Sequence, residues 1–272
     1  MIEYQYTLAG DHNYTVTVKA TGSTGLSVEK SVQVDVSVKS DGNDQLVWSD
    51  EFSTDGAPDP AKWGFDLGNG NGWGNAELEY YTSRPDNVTV QDGVLKITAR
   101  KENYEGSEFT SGRLLSKNKF AFTYGRVEVR AKFPGGNGTW PAIWMLGDNV
   151  ATEGWPGCGE MDIAEHRGNE LNKIFGTLHY PGHSGANGNG STRVIENATT
   201  EFHIYRMDWT SSSIKIYVDD QLYLTVANSG SIPFNHDFFL VLNVAMGGNF
   251  GGAVDPAFTT GSMEVDYVRV YK

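Results

Sequence analysis

Residues 159–166 read Gly159-Glu160-Met161-Asp162-Ile163-Ala164-Glu165-His166, with three carboxylates within six residues of an otherwise apolar, strand-like run. Acidic side chains enter such a setting when they are paired, metal-bound or chemically employed. Side chains of an extended strand alternate with period two, so Glu160 and Asp162 share one face and Glu165 has the opposite parity. One extra residue around Ile163-Ala164, a β-bulge, returns Glu165 to the face of its partners. The stretch therefore predicts a bulged strand that carries three acids on one face.

Outward from this strand the chain is a succession of further short strands. Candidates are residues 88–91, 94–99, 112–115, 124–133, 142–146, 175–179, 203–209, 214–218, 221–226, 238–244 and 263–271. Turn residues separate them, as at Gln91-Asp92-Gly93, Pro134-Gly135-Gly136-Asn137-Gly138 and Asp219-Asp220. Thirty-three glycines and 12% aromatic residues fit many strands and tight turns, and few segments hold a helical period. The pattern predicts an all-β protein, a jelly-roll sandwich of two antiparallel sheets. Some strands alternate bulky aromatic with polar residues on one face, which predicts a concave substrate cleft there.

Residues 1–41 differ from the rest. Two runs, 14–20 and 30–38, alternate cleanly, and the first resembles closing strands of PKD-like and other immunoglobulin-like modules. Such a sandwich needs about seven strands and ~100 residues, so this segment reads as part of an accessory module. Residues 42–45 read as a polar linker and 46–272 as the main domain.

The formal net charge is −13, which argues against nucleic acid and anionic membranes as partners. Cys158 is the single cysteine, so neither an intrachain disulfide nor a cysteine-based zinc site can form. No stretch approaches the ~18 apolar residues of a membrane span. Met1-Ile2-Glu3-Tyr4 lacks the basic start of a signal peptide, and the chain reads as beginning inside a longer protein.

Two glutamates on one strand face suit cleavage of a glycosidic bond. The retaining reaction needs two carboxyl groups about 5–5.5 Å apart, one a nucleophile and one an acid/base. Same-face neighbours lie ~6.5–7 Å apart between Cα atoms, close enough for carboxyl groups to converge across a sugar. Calcium is an alternative use of three acids, but a strand places too few oxygens around one point. A solvated acidic strand is the plainest alternative, and Trp140, Trp144 and Trp155 nearby weaken it. Trp140 and Trp144 have matched parity and present faces on which sugar rings can stack, with core packing as the other use of such rings. The glycine-framed loop 72–81 places Asn75 and Glu77 to bond sugar hydroxyls. His179 closes a strand and either bonds within the acidic cluster or is plainly structural.

The acidic motif with its flanks resembles glycoside hydrolase family 16, in its laminarinase branch. That branch carries E-x-D-x-x-E, here Glu160-Met161-Asp162-Ile163-Ala164-Glu165, where lichenase-type members lack the extra residue. The resemblance extends through Trp48-Ser49-Asp50-Glu51-Phe52, the 73–81 loop, Tyr124-Gly125-Arg126-Val127-Glu128, residues 140–146, 176–180 and 202–209, and Asp266-Tyr267-Val268-Arg269-Val270-Tyr271. It implies endo-hydrolysis of β-1,3-glucan with Glu160 as nucleophile, Glu165 as acid/base and Asp162 assisting. It implies a cleft lined by Arg113, Trp140, Trp144, Trp155 and His179, and no cofactor for catalysis. One structural Ca2+ is implied on the convex side, held by Glu51, the backbone carbonyl of Gly93 and Asp266. A secreted monomer acting on polysaccharide or oligosaccharide is the accompanying expectation. Two alternatives stay open: a galactan hydrolase of the same family, against which the few Arg and Lys near the motif argue, and a non-catalytic glucan-binding module.

Overall fold

A computed structural model of the chain describes the backbone of residues 12–21 and 27–36 and the whole of residues 45–272. Two compact units divide at Asp44/Gln45. In the first, His12–Thr21 and Ser27–Val36 pair antiparallel from His12↔Val36 to Thr21↔Ser27. These strands begin and end within a few residues of the two alternating runs. The expected linker lies outside the described residues except for Gln45.

The second unit is a sandwich of a ten-stranded and a seven-stranded sheet. The seven-stranded sheet orders Asn189–Val194, Lys173–His179, Glu160–His166, Thr139–Gly147, Phe238–Met246, Arg113–Leu115 and Gly64–Phe65. In the ten-stranded sheet, Thr260–Tyr271 is central, with Gly125–Lys132 on one side and both Val94–Tyr104 and Leu46–Asp50 on the other. Pairing is antiparallel with one exception: Glu79–Tyr81 runs parallel to Ser107–Ser111. The two sheets otherwise form the expected antiparallel jelly-roll sandwich.

Period-two alternation explains the core. Leu95, Ile97, Val127, Val129, Met207, Ile216 and Val265 point inward from one sheet and meet Met145, Met161, Leu178, Leu240, Leu242 and Val244 from the other. Phe238–Met246 is buried along its whole length because its outer face is covered as well: Phe239 and Val241 join Leu115, Trp144 and Leu146 there. The two-residue turns follow backbone demand. Asp92 and Gly93 have φ of 55° and 76°, Asp219 and Asp220 of 46° and 61°, the left-handed pairs that tight hairpins require. Strands 79–81, 107–111 and 189–194 escaped the sequence reading. The last, Asn-Gly-Ser-Thr-Arg-Val, has Val194 as its one large apolar residue and is never fully buried, so no hydrophobic alternation marks it. Among the described residues no helix is long and apolar enough to cross a membrane.

The bulge is where the spacing predicts it. Against Thr139–Gly147 the register runs Trp144↔Asp162 and then Ile143↔Ala164, so Ile163 is the extra residue. Against Lys173–His179 it steps from Thr177↔Asp162 to Phe175↔Glu165. Ile163 and Ala164 both enter the core, and Glu165 emerges on the outer face with Glu160 and Asp162.

Ile163 fills core volume at the single irregular point of its strand and is fully buried. Ile163→Ala should therefore cost about 2–4 kcal/mol of unfolding free energy. Urea denaturation of the 45–272 unit measures it, and a loss below 1 kcal/mol would show that the bulge is not packed as described.

Candidate active site

The outer face of the seven-stranded sheet gathers Glu160, Asp162 and Glu165 with Trp140 and Trp144. Glu160, at the start of its strand, accepts the indole N–H of Trp155 on Oε2 at 3.1 Å. Asp162 lies 3.2 Å from His179 Nε2, which is 3.8 Å from Glu160 Oε1. Past the bulge, Glu165 accepts the Trp140 indole N–H on Oε1 at 2.9 Å. The next residue, His166, points the opposite way, fully buried, with its ring stacked on Phe133 at 5.6 Å. Burial holds its imidazole down to about 4, so it is a neutral core residue. Cys158 is likewise buried, its thiol pushed up to about 11 by burial and by the Glu160 charge.

Burial, and then mutual repulsion, governs the charge state. Glu160 is raised well above the ordinary carboxylate range by desolvation and by Asp162, with His179 opposing. Asp162 is raised by desolvation. Glu165 is pushed up to about 8 by desolvation and by Asp162, against the Trp140 hydrogen bond that favours its charged form. Three carboxyl groups so close cannot all ionise near neutrality, and their protons belong to the cluster as a whole. One group positioned as an acid beside another left as an anion is the state this arrangement favours.

Trp155 is the exposed member of the aromatic set, at 50% relative exposure, with its ring 5.9 Å from that of His179. Trp144 faces the same side as Trp140 and donates its indole N–H to Asn243 at 2.7 Å. The Arg113 guanidinium lies over both Trp144 and Trp73, 4.9 and 4.8 Å from the ring centroids, with Nε 3.0 Å from Asp66. Beside Glu165, Trp140 packs on Phe250, Phe250 on Phe175, and Arg167 covers the last two. Arg167 is itself paired with Glu170.

Asn75 and Glu77 do not point freely outward. Asn75 donates to Glu77 at 3.1 Å, and Glu77 also accepts the Tyr81 hydroxyl at 3.2 Å. Tyr81 in turn accepts from Asn243 at 3.0 Å, so the loop is tied to Trp144 through Asn243. Behind them Glu79 is fully buried, accepts the Met246 N–H at 2.6 Å, and is raised well above the usual range by burial and by Glu77. Sequence reasoning passed over Asn243, although it is the lone polar residue of the run Phe-Phe-Leu-Val-Leu-Asn-Val-Ala-Met. It also passed over Phe175, Arg167 and Phe250, which carry no local signal.

The residues expected to hold calcium belong to the other sheet and its connections. Glu51 accepts from Arg269 through both oxygens, at 3.0 and 2.8 Å, and Asp266 from Arg130 at 2.6 Å. Gly93 sits in the two-residue turn after Val88–Gln91. Each carboxylate is thus already paired with a guanidinium, which a cation there would have to displace. Among the described residues the converging donor set is Glu160, Asp162 and His179, within 4.8 Å of one another.

The profile of glycosyl hydrolases family 16 matches residues 75–269. A β-glucanase of Rhodothermus marinus is 46% identical over 245 residues, covering 84% of this chain and 85% of its own length. The crystal structure of the laminarinase from Rhodothermus marinus superposes with a TM-score of 0.81 at 46% identity, over 84% of this chain and 97% of that one. A keratan-sulfate endo-1,4-β-galactosidase of Sphingobacterium multivorum is 40% identical over 84% of this chain and 55% of its own length.

The raised Glu165 carries a stability signature. A buried acid whose pKa is raised binds its proton in the folded state where the unfolded chain has lost it, so it lowers stability as pH climbs from the unfolded value towards about 8. Glu165→Gln should therefore gain about 1–3 kcal/mol over the unmodified protein at pH 8 and little at pH 4. Thermal melts across that range test it, and parallel curves for the two proteins would contradict the assigned protonation.

Proposed function

The chain belongs to glycosyl hydrolases family 16, and from that membership we propose that it hydrolyses internal β-1,3-glucosidic bonds of laminarin-type β-glucans with retained configuration. The observation that carries the reading is one face bearing Glu160 and Glu165, each with its own indole N–H donor, on either side of a bulge. Catalysis in this family needs no cofactor, and each step can be assigned to side chains of that face.

In the first step Glu165 gives its proton to the departing glycosidic oxygen while ionised Glu160 attacks the anomeric carbon. The carbon–oxygen bond to the leaving sugar breaks and an ester to Glu160 forms. In the second step Glu165, now a carboxylate, takes a proton from water, whose oxygen attacks the same carbon and releases Glu160. Asp162 and His179 serve Glu160: His179 Nε2 stands beside both carboxyl groups, and Asp162 holds a proton that keeps the cluster at a single negative charge. Trp155, Trp144 and the Arg113-braced Trp73 offer ring faces to sugars, whereas Asn75 and Glu77 act through Tyr81 and Asn243.

A galactan substrate is the second reading, favoured by the keratan-sulfate-cleaving relative. Against it, the two arginines of this face are engaged, Arg113 with Asp66 and Arg167 with Glu170, and neither offers an unpaired cation to a sulfate. Secretion and a monomeric state complete the proposal, since a polymeric glucan has to be met outside the cell. Calcium is proposed from the family resemblance alone and requires Glu51 to exchange Arg269 for the ion.

Product analysis on laminarin, mixed-linkage glucan, agarose and keratan sulfate separates the readings. Laminarin should be cut fastest, into short oligosaccharides, and Glu160→Gln should lower kcat by about 10³-fold or more. Equal rates for the two proteins would leave a binding module, and a preference for agarose or keratan sulfate would establish the galactan reading. Millimolar CaCl2 added to chelator-treated protein should raise Tm by about 5 °C. That gain should vanish in Glu51→Ala, and an unchanged Tm would remove calcium from the description.

A further inference from the structure

A bulge leaves backbone groups outside the ladder, and a buried carbonyl without a donor is costly. The carbonyl of Ile163, the extra residue of the acidic strand, is met from the opposite sheet. The hydroxyl of Tyr223, on Gln221–Ala227, donates to it at 2.8 Å. Tyr223 is itself an extra residue: its strand pairs Tyr217↔Leu222 and then Ile216↔Leu224, which leaves Tyr223 unmatched. Two bulges, one in each sheet, thus touch through a single hydrogen bond.

The path of the tyrosine is built as well. Gly176 lies in the neighbouring strand between Thr177 and Phe175, the partners of Asp162 and Glu165, and so sits opposite the bulge. A Cβ on Gly176 would stand 2.8 Å from both the Tyr223 hydroxyl and its ring edge. Glycine there makes the room through which the ring reaches Ile163. Burial and the charges of Glu165 and Asp162 raise the Tyr223 hydroxyl far above its ordinary value, so it remains a donor throughout the working range.

We infer that Tyr223 is a positioning residue for Glu165: by holding the Ile163 carbonyl it fixes the bulge that sets where the acid/base carboxyl stands. The inference rests on the proposed role of Glu165 as the proton donor. Tyr223 meets the strand on its core side at Ile163, two residues from Glu165, so it acts through the backbone. Loosening the bulge displaces Glu165 from the leaving oxygen and leaves Glu160, three residues before the bulge and paired in register with Leu146 and His179, in place.

A displaced proton donor has a kinetic signature that general damage lacks. Substrates with good leaving groups need no proton, and substrates with poor ones do. The test uses 2,4-dinitrophenyl and phenyl β-laminaribiosides with the unmodified protein, Tyr223→Phe, Gly176→Ala and Glu165→Ala. Tyr223→Phe should lose on the order of tenfold in kcat/KM on the phenyl glycoside and stay within about twofold on the dinitrophenyl one. Gly176→Ala, which keeps the hydroxyl but blocks its path, should reproduce that selectivity. Glu165→Ala should show it at about 10²-fold or more. Equal losses on both substrates in Tyr223→Phe, or none on either, would overturn the positioning role while Glu165→Ala still shows the selectivity. Absence of the selectivity in Glu165→Ala would instead overturn the acid/base assignment, and this inference with it. Thermal melts confirm folding, and Gly176→Ala decides the matter should Tyr223→Phe not fold.

Discussion

One residue out of register governs this molecule. Had the strand Glu160–His166 been regular, Glu165 would have entered the core, where an acid costs several kcal/mol unless neutralised or paired. Ile163 prevents that by taking a core position with no cross-strand partner in the Thr139–Gly147 ladder. The register is pinned on both sides: Met161, Ile163 and Ala164 must be inside, and Glu160, Asp162 and Glu165 must be outside. The hydrophobic effect thus specifies the placement of the acids, because no other register satisfies both faces at once.

Placing three acids together makes the site electrostatically tense. Desolvation is the leading cause of the upward shift for each of them, with Asp162 next for Glu160 and Glu165. The two glutamates are distinguished less by burial than by surroundings. Glu160 has Trp155 and the imidazole of His179 near it, and Glu165 has Trp140 alone as a direct donor. On the proposed assignment Glu160 serves as the nucleophile and Glu165 as the acid/base.

The sequence was readable where a single strand's periodicity carried the information. The bulge, the outward faces of Trp140 and Trp144, and the tight turns at Asp92-Gly93 and Asp219-Asp220 are local consequences of period two and of left-handed backbone demand. Less legible were features that exist only between strands distant in the chain. Asn75 and Glu77 read as free polar groups, yet Asn75 donates to Glu77 and Glu77 also takes the Tyr81 hydroxyl. Arg113 sits under two tryptophans that lie 40 and 31 residues away from it, a separation no window detects. The polar strand 189–194 carried no hydrophobic signal because its inward positions are only half covered at the sheet edge.

These non-local contacts share a direction. Trp144 is fixed through Asn243 and Tyr81 to Glu77, and Glu77 is backed by a buried Glu79 whose raised pKa keeps a proton available between the two carboxyl groups. Trp73 and Trp144 are braced by Arg113, and Arg113 by Asp66. Rings held this way lose little freedom when a sugar stacks on them, so less of the contact energy is spent on ordering the protein. Trp155 is the contrast: half exposed, held by one N–H to Glu160, and without such bracing. On the proposed mechanism a substrate hydroxyl or the ester formed on Glu160 would compete for that same oxygen. On that mechanism the Trp155 ring is therefore the element of the face tied to the nucleophile, whereas the Trp73–Arg113–Trp144 stack is held by Asp66 and Asn243.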